Sequence, residues 1–302
     1  MGTETNFDVI IVGGSYAGLS AAMALGRSLR KVLIIDSGLP CNRQTPHSHN
    51  FITNDGEKPA AIAAKAREQV LNYPTVKLVN TRAVSGKRTE TGFEIVTEGS
   101  QKFNARKLVF ATGISDTMPP IKGFAECWGI SVVHCPYCHG YELRDRKTVI
   151  LANGARAFHL ASLVSNLTRE VIILTQGVPE FSPEELAKLE AHHIPIIETE
   201  VSEIQNQNGH VEGIIFSSGR KLAVEAIYAA VPFTQHSDIP TSLGCDLAEN
   251  GYIKIDNFQK TTVPGVYACG DNSAMMRSVA NAVYTGNLAG AMVNKELVDD
   301  EF

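Results

Sequence analysis

The sequence has no long hydrophobic run, no excess of basic residues and no dense cysteine framework. No stretch approaches the roughly 18 consecutive apolar residues of a transmembrane helix, so we expect no membrane partner. Acidic residues outnumber basic ones by 32 to 27, which argues against nucleic acid as a partner because phosphates require cations. Residues 1–8 are largely polar and do not match a secretory or organellar leader. We therefore expect a cytoplasmic protein.

The six cysteines are too scattered for the disulfide scaffold of a small secreted protein. Only Cys135 and Cys138 are close in sequence, and a Cys-x-x-Cys pair in a reducing compartment is usually catalytic or metal-binding. A zinc site would need a second pair of ligands, and the other cysteines are isolated. A c-type haem site would need export, and two structural cysteines are a further alternative. Redox chemistry is the interpretation that the motif favours most.

The residues around this cysteine pair suit dithiol chemistry. Pro136 has no N–H and a fixed φ, which fits the first turn of a helix. A helix N-terminus stabilises a thiolate, the form that attacks disulfides. His139 follows the second cysteine and can transfer a proton near pH 7. We predict that Cys135, Cys138 and His139 are catalytic.

The N-terminal segment predicts a βαβ unit with a dinucleotide-binding turn. An apolar strand at 8–12 leads into a glycine-rich turn at 13–18, a helical pattern, and a second strand that ends at Asp36. Gly13 permits the tight turn, and Gly18 permits close packing of helix on strand. Ser15 replaces the middle glycine, and an ordinary tight turn is the alternative. The predicted cofactor-binding residues here are Gly13, Gly14, Ser15, Ala17, Gly18 and Asp36.

Other candidate cofactor-binding residues come from three separate segments. Arg43 lies in a long loop, residues 37–55, and such loops are often functional. A buried strand ends in Ala111, Thr112 and Gly113. A later strand ends in Gly270 and Asp271, where the carboxylate could bind a flavin ribityl hydroxyl, could be the N-cap of the C-terminal helix, or could do both.

The middle of the chain predicts a second βαβ unit whose turn is degenerate. The turn at 152–157 keeps one glycine, Gly154. The second strand runs into 175–180, which has no acidic residue at the strand end for an NAD ribose and no arginine pair for a 2′-phosphate. The pattern predicts that the nucleotide-binding fold is kept and that the nicotinamide site is lost.

These elements occur in one order along nearly the whole chain. The Gly13–Gly18 turn with Asp36, the Ala111–Gly113 segment, the Cys135–Cys138 motif and Gly270–Asp271 together resemble the low-molecular-weight thioredoxin reductases. The resemblance implies an α/β fold with two Rossmann-like, three-layer domains. It places a discontinuous FAD-binding domain at 1–117 and 244–302, and a redox domain at 118–243. It also implies FAD as cofactor and a homodimer.

By position, the resemblance implies that Cys138 faces the flavin and that Cys135 exchanges with substrate. Two features depart from the family. His139 replaces the usual aspartate, and the NADPH-binding positions of the central domain lack their glycines and arginines. Both departures look more like relatives that do not use NADPH, such as flavin dithiol oxidases of the gliotoxin-biosynthesis type and ferredoxin-dependent thioredoxin reductases.

The leading hypothesis is an FAD-dependent thiol–disulfide oxidoreductase that does not use NADPH. The alternatives are an NADPH-dependent thioredoxin reductase with an altered loop, and a non-catalytic flavin-binding redox sensor. The expected substrate is a thioredoxin-like protein or a small dithiol or disulfide. The electron partner stays open among oxygen, ferredoxin and another carrier.

Overall fold

The computed structural model describes residues 5–302, so the first four residues of the polar N-terminal segment lie outside the described chain. The chain forms two compact units. The first unit comprises the chain up to Arg43, Pro59–Ser115 and Phe233–Phe302. The second unit comprises Gln44–Lys58 and Asp116–Pro232.

The strands are β1 (Asn6–Val12), β2 (Val32–Asp36), β3 (Val76–Asn80), β4 (Ala83–Thr89), β5 (Gly92–Thr97), β6 (Lys102–Phe110), β7 (Ile114–Asp116), β8 (Val132–Val133), β9 (Thr148–Leu151), β10 (Val171–Leu174), β11 (Ile196–Ile197), β12 (Val201–Gln207), β13 (His210–Phe216), β14 (Lys221–Leu222), β15 (Ala226–Ala229), β16 (Phe233–Gln235) and β17 (Val266–Ala268). The helices are α1 (Tyr16–Arg27), α2 (Pro59–Leu71), α3 (Phe124–Cys127), α4 (Pro136–His139), α5 (Gly154–Val164), α6 (Pro183–Ala191), α7 (Ile239–Ser242) and α8 (Val279–Glu301).

The first unit is built on a seven-stranded sheet in the order β3-β2-β1-β6-β5-β4, with β17 also paired to β6. The strands β3, β2, β1, β6 and β17 run parallel, whereas β4 and β5 form an antiparallel extension. The apolar runs 9–12 of β1 and 32–35 of β2 are buried throughout. Continuous apolar strands of this kind are typical of parallel sheets that are covered on both faces.

Helices α1 and α8 pack together through small residues. A Cβ added at Gly286 would lie 2.1 Å from the carbonyl oxygen of Ala17, and one added at Gly290 would lie 2.6 Å from that of Ala21. The Ser20 hydroxyl donates to the carbonyl of Val283 at 2.7 Å. The two helix backbones therefore approach more closely than larger side chains would allow.

The end of α8 is attached to the sheet by a partly buried charge network. Lys107 contacts Glu296 at 2.7 Å and Asp300 at 2.8 Å. Glu296 also accepts from Lys260 at 2.9 Å and from the Tyr267 hydroxyl at 2.5 Å. Burial alone would raise the pKa of Glu296, but hydrogen bonds from Lys107, Tyr267 and Lys260 outweigh it and lower the pKa to about 2.

This depressed pKa predicts an acid-sensitive contribution to stability. It should be complete above the ordinary Glu pKa of 4.5 and lost as pH falls towards about 2. We expect Glu296→Gln to lower the free energy of unfolding at pH 7 by about 2 kcal/mol and to flatten its pH dependence in that window. Urea unfolding at a series of pH values measures both effects. Glu184→Gln, in an exposed pair with Lys188, is the control and should change little. Equal effects of the two variants would contradict the prediction.

The second unit contains a five-stranded parallel sheet in the order β11-β10-β9-β15-β8 and an antiparallel sheet of β12, β13 and β14. Helix α5 follows β9 and packs in one buried cluster with residues of β9, β10 and β15. Ser182 and Glu185 form a capping box at the start of α6, with Pro183 at its first turn. The predicted α/β class with two Rossmann-like sheets is confirmed.

The unit boundaries differ in detail from the predicted domain boundaries at 117 and 244. The chain passes between the units at 115–116 and again at 232–233, and residues 44–58 group with the second unit. Within that segment Ser48 bridges to Glu57, and His49 contacts Glu142 at 3.6 Å. Such long-range contacts leave no periodic signal in the sequence. Among residues 5–302, no helix has the length and apolar character needed to cross a membrane.

Candidate active site

The cysteine pair lies on a single helical turn that follows β8. Cys135 has extended backbone angles and occupies the N-cap position of α4, and Pro136 begins the helix. The Cys138 N–H donates to the Cys135 carbonyl at 3.3 Å, and the two sulfur atoms lie 2.7 Å apart. The turn thus holds the sulfurs close enough to be joined or separated with little backbone movement. Because α4 spans four residues, its dipole is weaker than the sequence led us to expect.

Close packing supports the turn on both sides. Before it, the rings of Trp128 and His134 stack with centroids 5.9 Å apart. After it, a Cβ added at Gly140 would lie 2.2 Å from the carbonyl oxygen of Pro136. Tyr137, between the two cysteines, is 69% exposed, so the motif presents an aromatic ring to the surface of this unit.

His139 lies in a group of titratable residues. Burial and, secondarily, positive charge on His49 lower the pKa of His139 to about 4. His49 comes from the 44–58 segment, and its ring nitrogens face Asp55 at 3.7 Å and Glu142 at 3.6 Å. At neutral pH His139 is therefore a neutral imidazole, which can accept a proton from a thiol but carries no positive charge to stabilise a thiolate.

This arrangement predicts that His49→Gln raises the pKa of His139. The positive charge of protonated His49 disappears, while burial still keeps the pKa below the ordinary value of 6.5. Histidine side-chain NMR during a pH titration measures the shift. His47→Gln is the matched control, because the His47 ring contacts the carbonyl of Gly56 at 2.8 Å and glutamine can also donate there. An unchanged His139 titration, or the same change in both variants, would contradict this electrostatic link.

The glycine-rich turn of the first unit forms a tight cradle at the start of α1. Gly13 has φ +106°, and a Cβ added there would lie 2.2 Å from the carbonyl oxygen of Ala111. A Cβ at Gly18 would lie 1.9 Å from the carbonyl oxygen of Gly13. Both predicted glycine roles, the tight turn and the close helix approach, match this packing. Ala17 borders the same cradle, since a Cβ at Gly270 would lie 2.9 Å from its own Cβ.

The charges around the cradle suit an anionic nucleotide. Within the described chain, Ser15 makes no side-chain bond that caps α1, which leaves the helix N-terminus for an anion. Asp36 accepts from the Gly14 N–H at 3.0 Å and pairs with Arg67 at 3.1 Å. No motif pointed to Arg67, because its pairing partner lies on another element.

The remaining predicted residues divide into two groups. Thr112 and the Gly270–Asp271 segment lie together at the carboxyl ends of β6 and β17, where Asn272 donates to Thr112 at 3.3 Å and to the carbonyl of Phe110 at 2.8 Å. Asn272 was missed by the sequence analysis. Gly113 has φ +65° in the same turn. In contrast, Arg43 donates to the carbonyl of Pro40 within its own loop at 3.1 Å.

The alternative role considered for Asp271, as N-cap of the C-terminal helix, is wrong. Helix α8 begins at Val279, and Ser278 is its N-cap, with its side chain accepting from the N–H of Asn281. Asp271 instead lies with its carboxylate 4.0 Å from the sulfur of Cys41 and 3.8 Å from the guanidinium of Arg277. A carboxylate beside the cradle is therefore not committed to capping a helix.

The degenerate turn of the second unit is closed by Asn153. The Asn153 side chain accepts from the N–H of Gly154 at 2.8 Å and of Glu180 at 3.0 Å. It also donates to the carbonyl of Val178 at 2.8 Å. The loop after β10 is thus bound against the N-terminus of α5, the position at which a Rossmann-like unit binds a pyrophosphate.

Comparison with known proteins agrees with this architecture. Residues 7–286 match the family described as pyridine nucleotide-disulphide oxidoreductase. The chain is 33% identical to thioredoxin reductase tcpT of Claviceps purpurea, over 99% of this chain and 97% of that one. It superposes on a putative thioredoxin reductase TrxB of Bacillus anthracis with a TM-score of 0.93 at 31% identity, covering 98% and 100% of the two chains. An oxidoreductase of Agrobacterium tumefaciens gives 0.91 at 35% identity, with 97% and 99% covered.

The chain therefore belongs to the pyridine nucleotide-disulphide oxidoreductase family. Within that family it is thioredoxin reductase-like and an oxidoreductase that acts on disulfides, as the sequence motifs predicted.

Proposed function

We propose that this chain is an FAD-dependent thiol–disulfide oxidoreductase whose Cys135–Cys138 pair passes two electrons between the flavin and an external dithiol or disulfide. The observation that carries the proposal is the sulfur pair itself, held 2.7 Å apart on one turn. In this proposal the first unit binds FAD and the second unit carries the redox centre.

The residues of the first unit fit FAD. The cradle leaves no room for a Cβ at Gly13 or Gly18. Because these positions are glycine, the turn packs tightly and its backbone N–H groups can come close to a pyrophosphate. Asp36 and Asp271 supply carboxylates for ribose and ribityl hydroxyls. When bound, the flavin supplies a two-electron acceptor or donor for the dithiol.

The chemistry of the second unit follows thiol–disulfide exchange. In the oxidase direction, a substrate thiolate attacks the sulfur of Cys135, forming a mixed disulfide and releasing Cys138 as a thiolate. The second substrate thiolate then attacks the bound substrate sulfur, which forms the product disulfide and releases Cys135. His139, neutral at pH 7, accepts the proton of an incoming thiol. The reductase direction reverses these steps.

We further propose that NADPH is not the electron partner. The side chain of Asn153 and the loop that it holds occupy the N-terminus of α5. The end of β10 carries no acidic residue for a ribose, and residues 175–180 contain no arginine pair. A nucleotide pyrophosphate would have to displace hydrogen bonds of Asn153 that hold this loop.

Stopped-flow reduction of the flavin tests both parts of the proposal. We expect dithiothreitol to bleach the flavin absorbance through the dithiol, and NADPH to do so slowly and without saturation. Rapid, saturable reduction at micromolar NADPH would overturn the exclusion of NADPH and favour an NADPH-dependent thioredoxin reductase. A purified protein that binds no flavin would overturn the proposal as a whole.

The substrate we propose is a thioredoxin-like protein or a small dithiol, and the assembly we propose is a homodimer. Oxygen and ferredoxin are the two electron partners to compare. Oxygen mixed with the anaerobically reduced protein should restore the flavin absorbance if oxygen is the acceptor. Reduced ferredoxin mixed anaerobically with the oxidised protein should bleach the absorbance if ferredoxin is the donor. Gel filtration with light scattering measures the assembly.

A further inference from the structure

Thr285 carries a buried hydroxyl that the steps above do not use. It lies on α8 with 5% of its surface exposed. The hydroxyl oxygen accepts from the N–H of Gly270 at 3.0 Å, and the hydroxyl donates to the carbonyl of Asn281 at 2.8 Å. Buried polar groups are usually paired, because an unpaired one is unfavourable. One side chain therefore joins the N-terminal part of α8 to the loop that follows β17.

The N–H of Gly270 needs this acceptor because the chain leaves the sheet at this residue. Strand β17 pairs with β6, and the N–H of Cys269 still donates to the carbonyl of Phe110 at 3.0 Å. Gly270 then turns away with φ +81°, and a Cβ there would lie 2.9 Å from the Cβ of Ala17. Thr285 thus supplies the acceptor that a neighbouring strand supplies within the sheet.

Asp271 follows Gly270, and the chain on its other side is also fixed. The side chain of Asn272 donates to the carbonyl of Phe110 at 2.8 Å. The main-chain carbonyl of Asn272 accepts from the side chain of Gln235 and from a backbone N–H of the segment before β17, both at 2.9 Å. Asn272 is fully buried, whereas the side chain of Asp271 is 17% exposed. The loop therefore presents one carboxylate from a rigid support.

The position of this carboxylate depends on the Thr285 hydroxyl. A carboxylate that binds a ligand hydroxyl must stay within about 3 Å of it. Without the Thr285 hydroxyl, the buried N–H of Gly270 would lose its acceptor, and the loop would have to shift to reach water or another oxygen. Asp271 is the next residue in the chain, so its carboxylate would move with the Gly270 peptide.

The carboxylates of Asp271 and Asp36 lie at different places along the same edge of the sheet. Asp36 ends β2 and Asp271 follows β17, and the strands β1 and β6 lie between them. At about 4.8 Å for each strand, the two carboxylates are roughly 14 Å apart. In the proposed complex Asp36 serves the adenosine ribose and Asp271 serves the ribityl chain. A change that acts through Asp271 should therefore weaken the flavin half of the cofactor alone.

We propose that Thr285 is a positioning residue for the cofactor. Its hydroxyl holds the Gly270 peptide so that the Asp271 carboxylate stays directed at the ribityl hydroxyls of FAD. Thr285 acts through Asp271 rather than on the cofactor itself, and its role rests on the proposed binding of FAD by the first unit.

Binding of FAD and of ADP to the full chain, after removal of its flavin, tests this role. ADP carries the adenosine ribose and the pyrophosphate but no ribityl chain, so it reports on the Asp36 end alone. We expect titration calorimetry to show about tenfold weaker FAD binding in Thr285→Val and unchanged ADP binding. Thr285→Ser keeps the hydroxyl and should retain both affinities. Unchanged FAD affinity in a folded Thr285→Val protein, or equal losses for FAD and ADP, overturns the proposal.

A double variant and a matched control separate positioning from general stability. In an Asp271→Ala background, Thr285→Val should cause no further loss of FAD affinity, because the group that it positions is gone, and additive losses would overturn the proposal. Ser20→Ala is the control, since Ser20 donates to the carbonyl of Val283 at 2.7 Å across the same pair of helices. It should lower the melting temperature and leave the FAD affinity unchanged.

The same titrations distinguish failure of this role from failure of the proposed function. If the unchanged chain binds no FAD, the proposed function is rejected and the role of Thr285 is rejected with it. If Asp271→Ala weakens FAD binding and Thr285→Val does not, only the role of Thr285 is rejected.

Discussion

Cys135→Ser is expected to lower dithiol turnover by roughly 1000-fold or more, because serine cannot form or resolve a mixed disulfide. The flavin should stay bound, since its proposed ligands all belong to the first unit. Dithiothreitol should consequently fail to bleach the absorbance of the variant. Cys138→Ser should fail in a distinct way. The Cys135 thiolate can still attack a disulfide substrate and displace one of its sulfurs as a thiolate, but no second protein sulfur resolves the mixed disulfide, which mass spectrometry detects.

The control for these variants is Cys245→Ser. Cys245 is buried in the first unit, whereas the motif belongs to the second. Its sulfur contacts the Thr261 hydroxyl at 3.4 Å, a contact that serine can replace. It should keep full turnover. If Cys135→Ser kept turnover with any dithiol, the chain would be a flavin-binding sensor or would use another sulfur, and the proposed function would be rejected.

The second large effect is expected from Gly18→Ala. The added Cβ would lie 1.9 Å from the carbonyl oxygen of Gly13, a backbone atom that cannot turn aside. Relieving the overlap requires α1 to move away from β1, which opens the cradle. We expect a cost to folding of about 1–3 kcal/mol and purification with little flavin. The ratio of flavin to protein absorbance and the thermal melting curve measure the two effects.

Gly99→Ala is the matched control, because no described atom lies within 4 Å of a Cβ added at Gly99. This variant should carry a full complement of flavin and melt as the unchanged protein does. A Gly18→Ala protein that retained full flavin content would show that the cradle tolerates a shifted helix. The fit of the turn to a pyrophosphate would then lose its main support.

Local signals made much of the fold predictable. Helix α2 runs from Pro59 to Leu71 and begins at a proline, a residue that suits the first helical turn. Ser182 forms its capping box with Glu185, and a capping box depends on residues three positions apart. The glycine turn and Asp36 were also recognisable, since strand, turn and acid follow one another within a single βαβ unit. Each of these features is encoded by neighbours in the sequence.

Features that depend on distant residues were not predictable. The pairing of His49 with Glu142 joins positions far apart in the chain, and nothing in the polar loop around His49 indicates its partner. The bonds of Asn153 to the loop before α6 depend on how two strand ends meet. Tyr228 could be assigned to a buried strand by its apolar neighbours, but its pairing with Val133 follows from the register of β15 against β8.

The division of the first unit has a consequence for biosynthesis. Strand β17, which completes the sheet of this unit, and helix α8, which packs on α1, are synthesised only after the main part of the second unit. The ribosome therefore releases the redox segment before it has made α8, the helix that packs against Ala17 and pairs with Lys107. We expect nascent chains that stop before residue 233 to fold their central portion and to leave the N-terminal portion open to proteolysis.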